Sequence, residues 1–221
     1  MKKGFMKLVK DVTAAREAWD ELPLKFALSM VLAVVVCEMA AGALLAGYAL
    51  QTQLLILRLA ELVVIGLLII YFNVGDNLGL RRPDAEGVRV FALLAGMTLV
   101  LFTALLLVFR LLDYPLLAHL TAPPWLAGLA GLLLMVLLAP VVEELLFRGL
   151  IFRLLRRSFG MVLSVLLSAG CFALMHGQPE LPQIFGGIVF ALAYEWSRNL
   201  WVAVALHAAG NGAILLLALF H

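Results

Sequence analysis

Residues 126–152 read LAGLAGLLLMVLLAPVVEELLFRGLIF. The run exceeds the roughly 20 apolar residues that carry a helix across a bilayer, and Glu143, Glu144 and Arg148 are its only charges. Hydrocarbon offers no water to unpaired N–H and C=O groups, so an apolar stretch of this length crosses as a helix whose backbone bonds close on themselves. Comparable runs at 26–50, 54–72, 90–112, 161–177, 184–197 and 200–220 fill nearly everything after Lys25. The expected fold is all-α, a polytopic transmembrane helix bundle of about seven spans.

Composition points the same way. Apolar residues make up 65% of the 221 and charged ones 14%, against about half and a quarter in soluble domains. The chain therefore reads as a polar N-terminal segment, 1–25, and one membrane domain, 26–221. In the first, Phe5, Leu8 and Val12 recur at helical spacing among Lys2, Lys3, Lys7 and Lys10, which suits either an amphipathic helix on an anionic membrane face or a disordered basic tail. Mixed Lys, Asp and Glu followed by a long apolar run argue for a retained span rather than a cleaved signal. A net charge of +2 spread over short segments gives no nucleic-acid surface, so the lipid bilayer is the implied partner. Cys37 and Cys171 both lie in apolar runs and read as small buried hydrophobes.

Lys and Arg accumulate on cytoplasmic flanks. With the N-terminus cytoplasmic, the inner segments carry Lys25, then Arg81, Arg82 and Arg89, then Arg153, Arg156 and Arg157, then Arg198. Prolines and polar residues mark loops at 73–89 and 113–125. Arg58 and Arg110 fall near outer ends, where long side chains snorkel.

An ionisable side chain at mid-membrane costs about 2.5–3.5 kcal/mol, so Glu143, Glu144 and Arg148 must face the protein interior. At about 100° per residue, Arg148 lies about 40° from Glu144 and about 140° from Glu143. Glu144 and Arg148 can pair along the helix, which leaves Glu143 free to act as a base on water; a purely structural ion cluster is the alternative. In GCFALMHG, Phe172 and His176 share a helix face, and His176 suits either packing or catalysis. His207 and Asn211 share a face in VALHAAGNGAILLL, as either site residues or interhelical hydrogen-bond partners. A carboxylate, two imidazoles and an amide on three helices supply the parts for activating water and stabilising an oxyanion. Zinc could use a histidine pair with a carboxylate, but no HExxH helix is present. Among the other membrane charges, Glu38 is a second interior polar candidate, and Arg58 with Glu61 reads as a structural pair near the outer interface.

Over about residues 126–216 these motifs resemble the CAAX-protease and bacteriocin-processing family of intramembrane proteases, which includes the CAAX prenyl endopeptidase and the lysostaphin-resistance proteins. Its Glu-Glu-x-x-x-Arg motif matches Glu143, Glu144 and Arg148, its Phe-x-x-x-His motif Phe172 and His176, and its third motif His207 and Asn211. NLGLRRP, residues 77–83, is similar to a loop of the family. The resemblance implies an intramembrane endopeptidase acting on a membrane-associated protein or peptide in a bacterial inner membrane. In it Glu143 activates water with His176 assisting, His207 and Asn211 stabilise the oxyanion, and Glu144, Arg148 and Phe172 support them. No cofactor is favoured, and a glutamate-type mechanism is preferred to a metalloprotease; a divalent metal such as zinc, if bound, would fall to Glu143, His176 and His207. A proton- or cation-coupled transporter and a non-catalytic scaffold or immunity protein are the competing functions. Oligomeric state is left open.

Overall fold

A computed structural model describes residues 22–112, 128–176 and 181–219. Residues 1–21 of the N-terminal segment, the connection 113–127 with His119, residues 177–180 and residues 220–221 lie outside them. Among the described residues the chain forms seven helices in the expected order: α1 Leu24–Leu44, α2 Leu50–Phe72, α3 Ala85–Leu111, α4 Gly128–Ser158, α5 Met161–Leu174, α6 Leu181–Ser197 and α7 Leu200–Leu219. Helices α1 to α4 and α7 are long and apolar enough to cross a membrane. At 14 and 17 residues, α5 and α6 are about 21 and 25 Å long, short of the ~30 Å hydrocarbon core. The run at 184–197 is already the shortest of those expected, whereas α5 stops short of the span expected at 161–177.

Two boundaries shift for physical reasons. The first span ends at Leu44 and the second begins at Leu50, because the connecting turn is itself built of apolar residues that hydropathy cannot separate from a helix. Helix α3 starts at Ala85, ahead of its apolar run, since the Asp84 carboxylate accepts the Gly87 N–H at 2.9 Å and caps the first turn.

Helix α4 is the centre of the bundle: 39% of its apolar window is buried, against 11% in α1 and in α3. The outer helices present Leu28, Leu32, Leu93 and Val100 outward, as a lipid-facing surface does, while Phe26, Met30, Ile65, Phe147, Phe152 and Tyr194 fill the interior.

The residues assigned to the inner side meet at one end of the bundle. Arg153 donates to the Asn77 carbonyl, the Tyr194 hydroxyl to Leu78 O at 3.1 Å, and the Asn199 amide to Arg81 O at 2.9 Å. Leu200 N–H closes on Gly79 O at 3.2 Å. Gly79 sits at φ +74°, and a Cβ there would come within 2.5 Å of Arg198 O, so this close approach admits only glycine. The NLGLRRP loop thus ties α4, α6 and α7 together beneath the glutamate cluster.

Candidate active site

Helix α4 changes its winding around the two glutamates. Ala139–Glu144 is α-helical and is flanked by π-helical stretches Leu133–Leu138 and Leu145–Phe152, a local widening found most often at functional sites. Glu144 is buried and central: its Oε1 accepts from Arg148 Nη1 at 2.8 Å and pairs with His207 Nδ1 at 2.8 Å. Arg148 in turn donates to Gly187 O at 2.8 Å, and its guanidinium lies 4.9 Å from the Phe172 ring centre and 5.4 Å from that of Phe190. The expected Glu144–Arg148 pairing is therefore present, and Arg148 has no donor directed at Glu143.

Glu143 points elsewhere and retains 17% side-chain exposure. Its Oε2 lies 3.8 Å from His207 Nε2, beyond direct hydrogen-bond length. His207 thus bridges the two carboxylates. With Nδ1 2.8 Å from the Glu144 carboxylate, the ring is held so that Nε2 is turned toward Glu143. The imidazole is held flat against Phe190, with centroids 4.6 Å apart and planes 15° apart, and edge-on to Phe172 at 5.5 Å.

His176 closes α5 at its C-terminal turn, exposed, with Nδ1 2.8 Å from Phe172 O. That bond makes Nδ1 the donor and leaves Nε2 as the unengaged ring nitrogen. Its ring contacts Phe172 at 4.7 Å, so Phe172 touches both histidines. Glu143 and His176 lie the same number of residues either side of the α4–α5 turn at Phe159–Gly160, which brings a residue near the end of α5 level with one in the middle of α4. The structure does not bond His176 directly to Glu143.

Asn211 has a partner that the sequence did not suggest: its Nδ2 donates to Met135 O at 2.8 Å. In the π-helical stretch Ala139 N–H bonds to Leu134 O, so Met135 O loses its α-helical donor. Its π-helical donor would be residue 140, a proline without an N–H. Asn211 supplies the missing hydrogen, and the second amide hydrogen remains for another acceptor. Phe190 and Gly187 were also missed. Both lie in the shortest expected span, and the only hint was the pair Gly186–Gly187; a Cβ on Gly187 would come within 2.9 Å of Ala169 Cα, so glycine lets α6 press its carbonyl toward Arg148.

Among the described residues no three His, Cys, Asp or Glu side chains converge as metal ligands. Glu143 and His207 adjoin, and the bond from His176 Nδ1 to a carbonyl leaves its Nε2 unengaged, as a ligating histidine would have it; as arranged, the three are not gathered around one point.

Residues 124–213 match the family model described as type II CAAX prenyl endopeptidase Rce1-like. The chain is also similar to the membrane-embedded CAAX protease MroQ of Staphylococcus aureus (strain USA300), with 31% identity over 93 residues, or 38% of each chain. It thus spans well under half the length of that relative. No solved structure matches.

Proposed function

We propose that the chain, whose residues 124–213 match the Rce1-like CAAX prenyl endopeptidase family model, is an intramembrane endopeptidase in which Glu143 is the general base. One observation carries the reading. Of two adjacent membrane glutamates, one is consumed by Arg148 and His207, and the other stands partly exposed with an imidazole nitrogen 3.8 Å away.

In this reading water lies against Glu143 Oε2. The carboxylate takes its proton, and the hydroxide adds to the carbonyl carbon of a peptide bond in a membrane-associated substrate. Charge develops on the carbonyl oxygen. His207, as imidazolium, offers Nε2–H to that oxyanion, and the uncommitted Asn211 amide hydrogen offers a second bond. Collapse breaks the C–N bond, and the departing amine takes the proton back from Glu143, with His176 Nε2 assisting at the exposed edge. Glu144 accepts the His207 Nδ1–H and so orients the ring, while Arg148 neutralises Glu144 within a cage of three phenylalanines that includes Phe172. The protein's own side chains carry each step, without a metal.

The test works whatever the substrate is. Membranes from cells expressing wild-type protein or Glu143→Gln at equal folded levels are compared by mapping new protein N- and C-termini. Termini present only with the wild type are expected. Identical terminal profiles from two well-folded, equally abundant proteins would contradict a peptidase. Transport activity lost in Glu143→Gln without any change in termini would favour a proton- or cation-coupled transporter instead.

A further inference from the structure

The glutamates are shut off from one end of the bundle and open toward the other. From Leu145 to Arg153 no residue of α4 is exposed on any side, and Leu78, Phe152, Tyr194 and Leu200 seal the interior over the 77–83 loop. Helix α7 marks where this packing stops. Ala203, His207, Gly210 and Ile214 recur at steps of three and four and line one face. Ala203 is 0% exposed and His207 3%, yet Gly210 is exposed, with nothing within 4 Å of the position its Cβ would take. From Ala208 to Leu217 no α7 residue is buried. A face that is interior on the loop side of His207 therefore borders open space on the other side.

Polar groups edge that space. The Phe172 and His207 rings meet at 5.5 Å; one turn further from the loop stand His176, exposed, and Asn211, partly exposed. Imidazole and amide groups facing hydrocarbon are unfavourable, so the space suits water rather than lipid. Gln183, one turn before Gly187 on the same face of α6, keeps its buried Oε1 without a hydrogen-bond partner, an acceptor suited to a peptide N–H. The shortness of α5 and α6 points the same way. Helix α5 begins at Met161, just after the turn at the closed end, and α6 ends at Ser197, beside the contact of Asn199 with Arg81. Both are thus anchored at the closed end, and the length they lack is missing at the opposite one.

We propose that water and substrate reach Glu143 from the end of the bundle remote from the 77–83 loop. The closed end carries Arg81, Arg82, Arg153, Arg156, Arg157 and Arg198, which assigns it to the cytoplasm. The site then opens on the non-cytoplasmic side, and the substrate class is an exported or membrane-anchored peptide whose scissile bond lies at the outer flank of the bilayer. The substrate class rests on the peptidase reading, whereas the direction of access does not.

Cysteine labelling tests the direction of access. In a Cys37→Ala, Cys171→Ala background, single cysteines are introduced as Gly210→Cys and Ile214→Cys in the open stretch, Ala203→Cys on the loop side of His207, and Ser158→Cys at the closed end. A charged, membrane-impermeant maleimide is then applied to spheroplasts and to inverted membrane vesicles. Gly210→Cys should react in spheroplasts and not in inverted vesicles, Ser158→Cys should do the reverse, and Ala203→Cys should react in neither. If Gly210→Cys fails to fold, Ile214→Cys, one turn further along the same face, decides. Labelling of the open stretch in inverted vesicles alone, or in neither preparation, would overturn the proposal, as would reaction of Ser158→Cys in spheroplasts. For the substrate class, a reporter peptide spanning a cleavage site found by terminal mapping is fused to either flank of a single-span membrane anchor. The wild type should cut it on the non-cytoplasmic flank and leave it intact on the cytoplasmic one; equal cutting on both, or cutting on the cytoplasmic flank alone, would overturn the stated class. Absence of cutting on either flank, with the labelling as expected, would count against the peptidase and leave the direction of access standing.

Discussion

Glu143 and Glu144 are neighbours of identical chemistry, and what separates them is the 100° between successive helical side chains. Glu144 meets Arg148 and His207 in a fully buried network, so Glu144→Ala or Arg148→Ala strands its partners. Breaking a buried ion pair costs about 3–5 kcal/mol, and both variants should show a clear loss of folded yield and of unfolding midpoint. Glu143→Ala should leave the midpoint nearly unchanged, which thermal unfolding of the three proteins side by side checks. This division was legible in the spacing of EELLFR. The stacking of Phe190 on His207 was not, because nothing in an apolar span says which aromatic ring faces inward until the neighbouring helix is in place. Glu38, expected as a second interior polar group, is instead half-exposed and lies 3.8 Å from Arg58, which pairs with the buried Glu61.

Helix α4 shows how one residue sets the winding of an element and creates work for another. Pro140 withholds the N–H that the π-helical register requires, and Asn211 on α7 supplies it. Asn211→Ala should therefore cost about 1–3 kcal/mol, the cost of an unsatisfied buried carbonyl. The cost should largely vanish in a Pro140→Ala background, where residue 140 regains its N–H. Equal losses in both backgrounds, read by unfolding midpoint, would contradict this account of the turn. The sequence showed that His207 and Asn211 share a face and that Pro140 interrupts a long helix. It could not show that the two facts are connected, since a π register is defined by hydrogen bonds rather than by residue type. The order of all seven helices was likewise readable from the apolar runs, while the shortness of α5 was not, because the run continues in hydropathy to His176 after the helix has ended at Leu174.

Across the whole molecule, the region below the glutamates is fastened by the 77–83 loop, which ties α4, α6 and α7 at Gly79, Arg153 and Asn199. The positive-inside pattern anticipated the gathering of arginines at one end, since charges excluded from the bilayer must collect outside it. In the proposed mechanism every proton movement is assigned to a side chain of this chain, so thorough chelation of the purified protein should leave reporter cleavage within about twofold of the untreated rate. Loss of activity restored by stoichiometric zinc would reassign Glu143, His176 and His207 as ligands. The central claim is that Glu143, and not its neighbour, activates the attacking water. The most direct measurement is kcat of purified, folded Glu143→Gln on the reporter peptide, with Glu144→Gln measured in parallel. A loss of about a hundred- to ten-thousand-fold is predicted for Glu143→Gln with its unfolding midpoint preserved; near wild-type turnover by Glu143→Gln, alongside a folded but inactive Glu144→Gln, would contradict it.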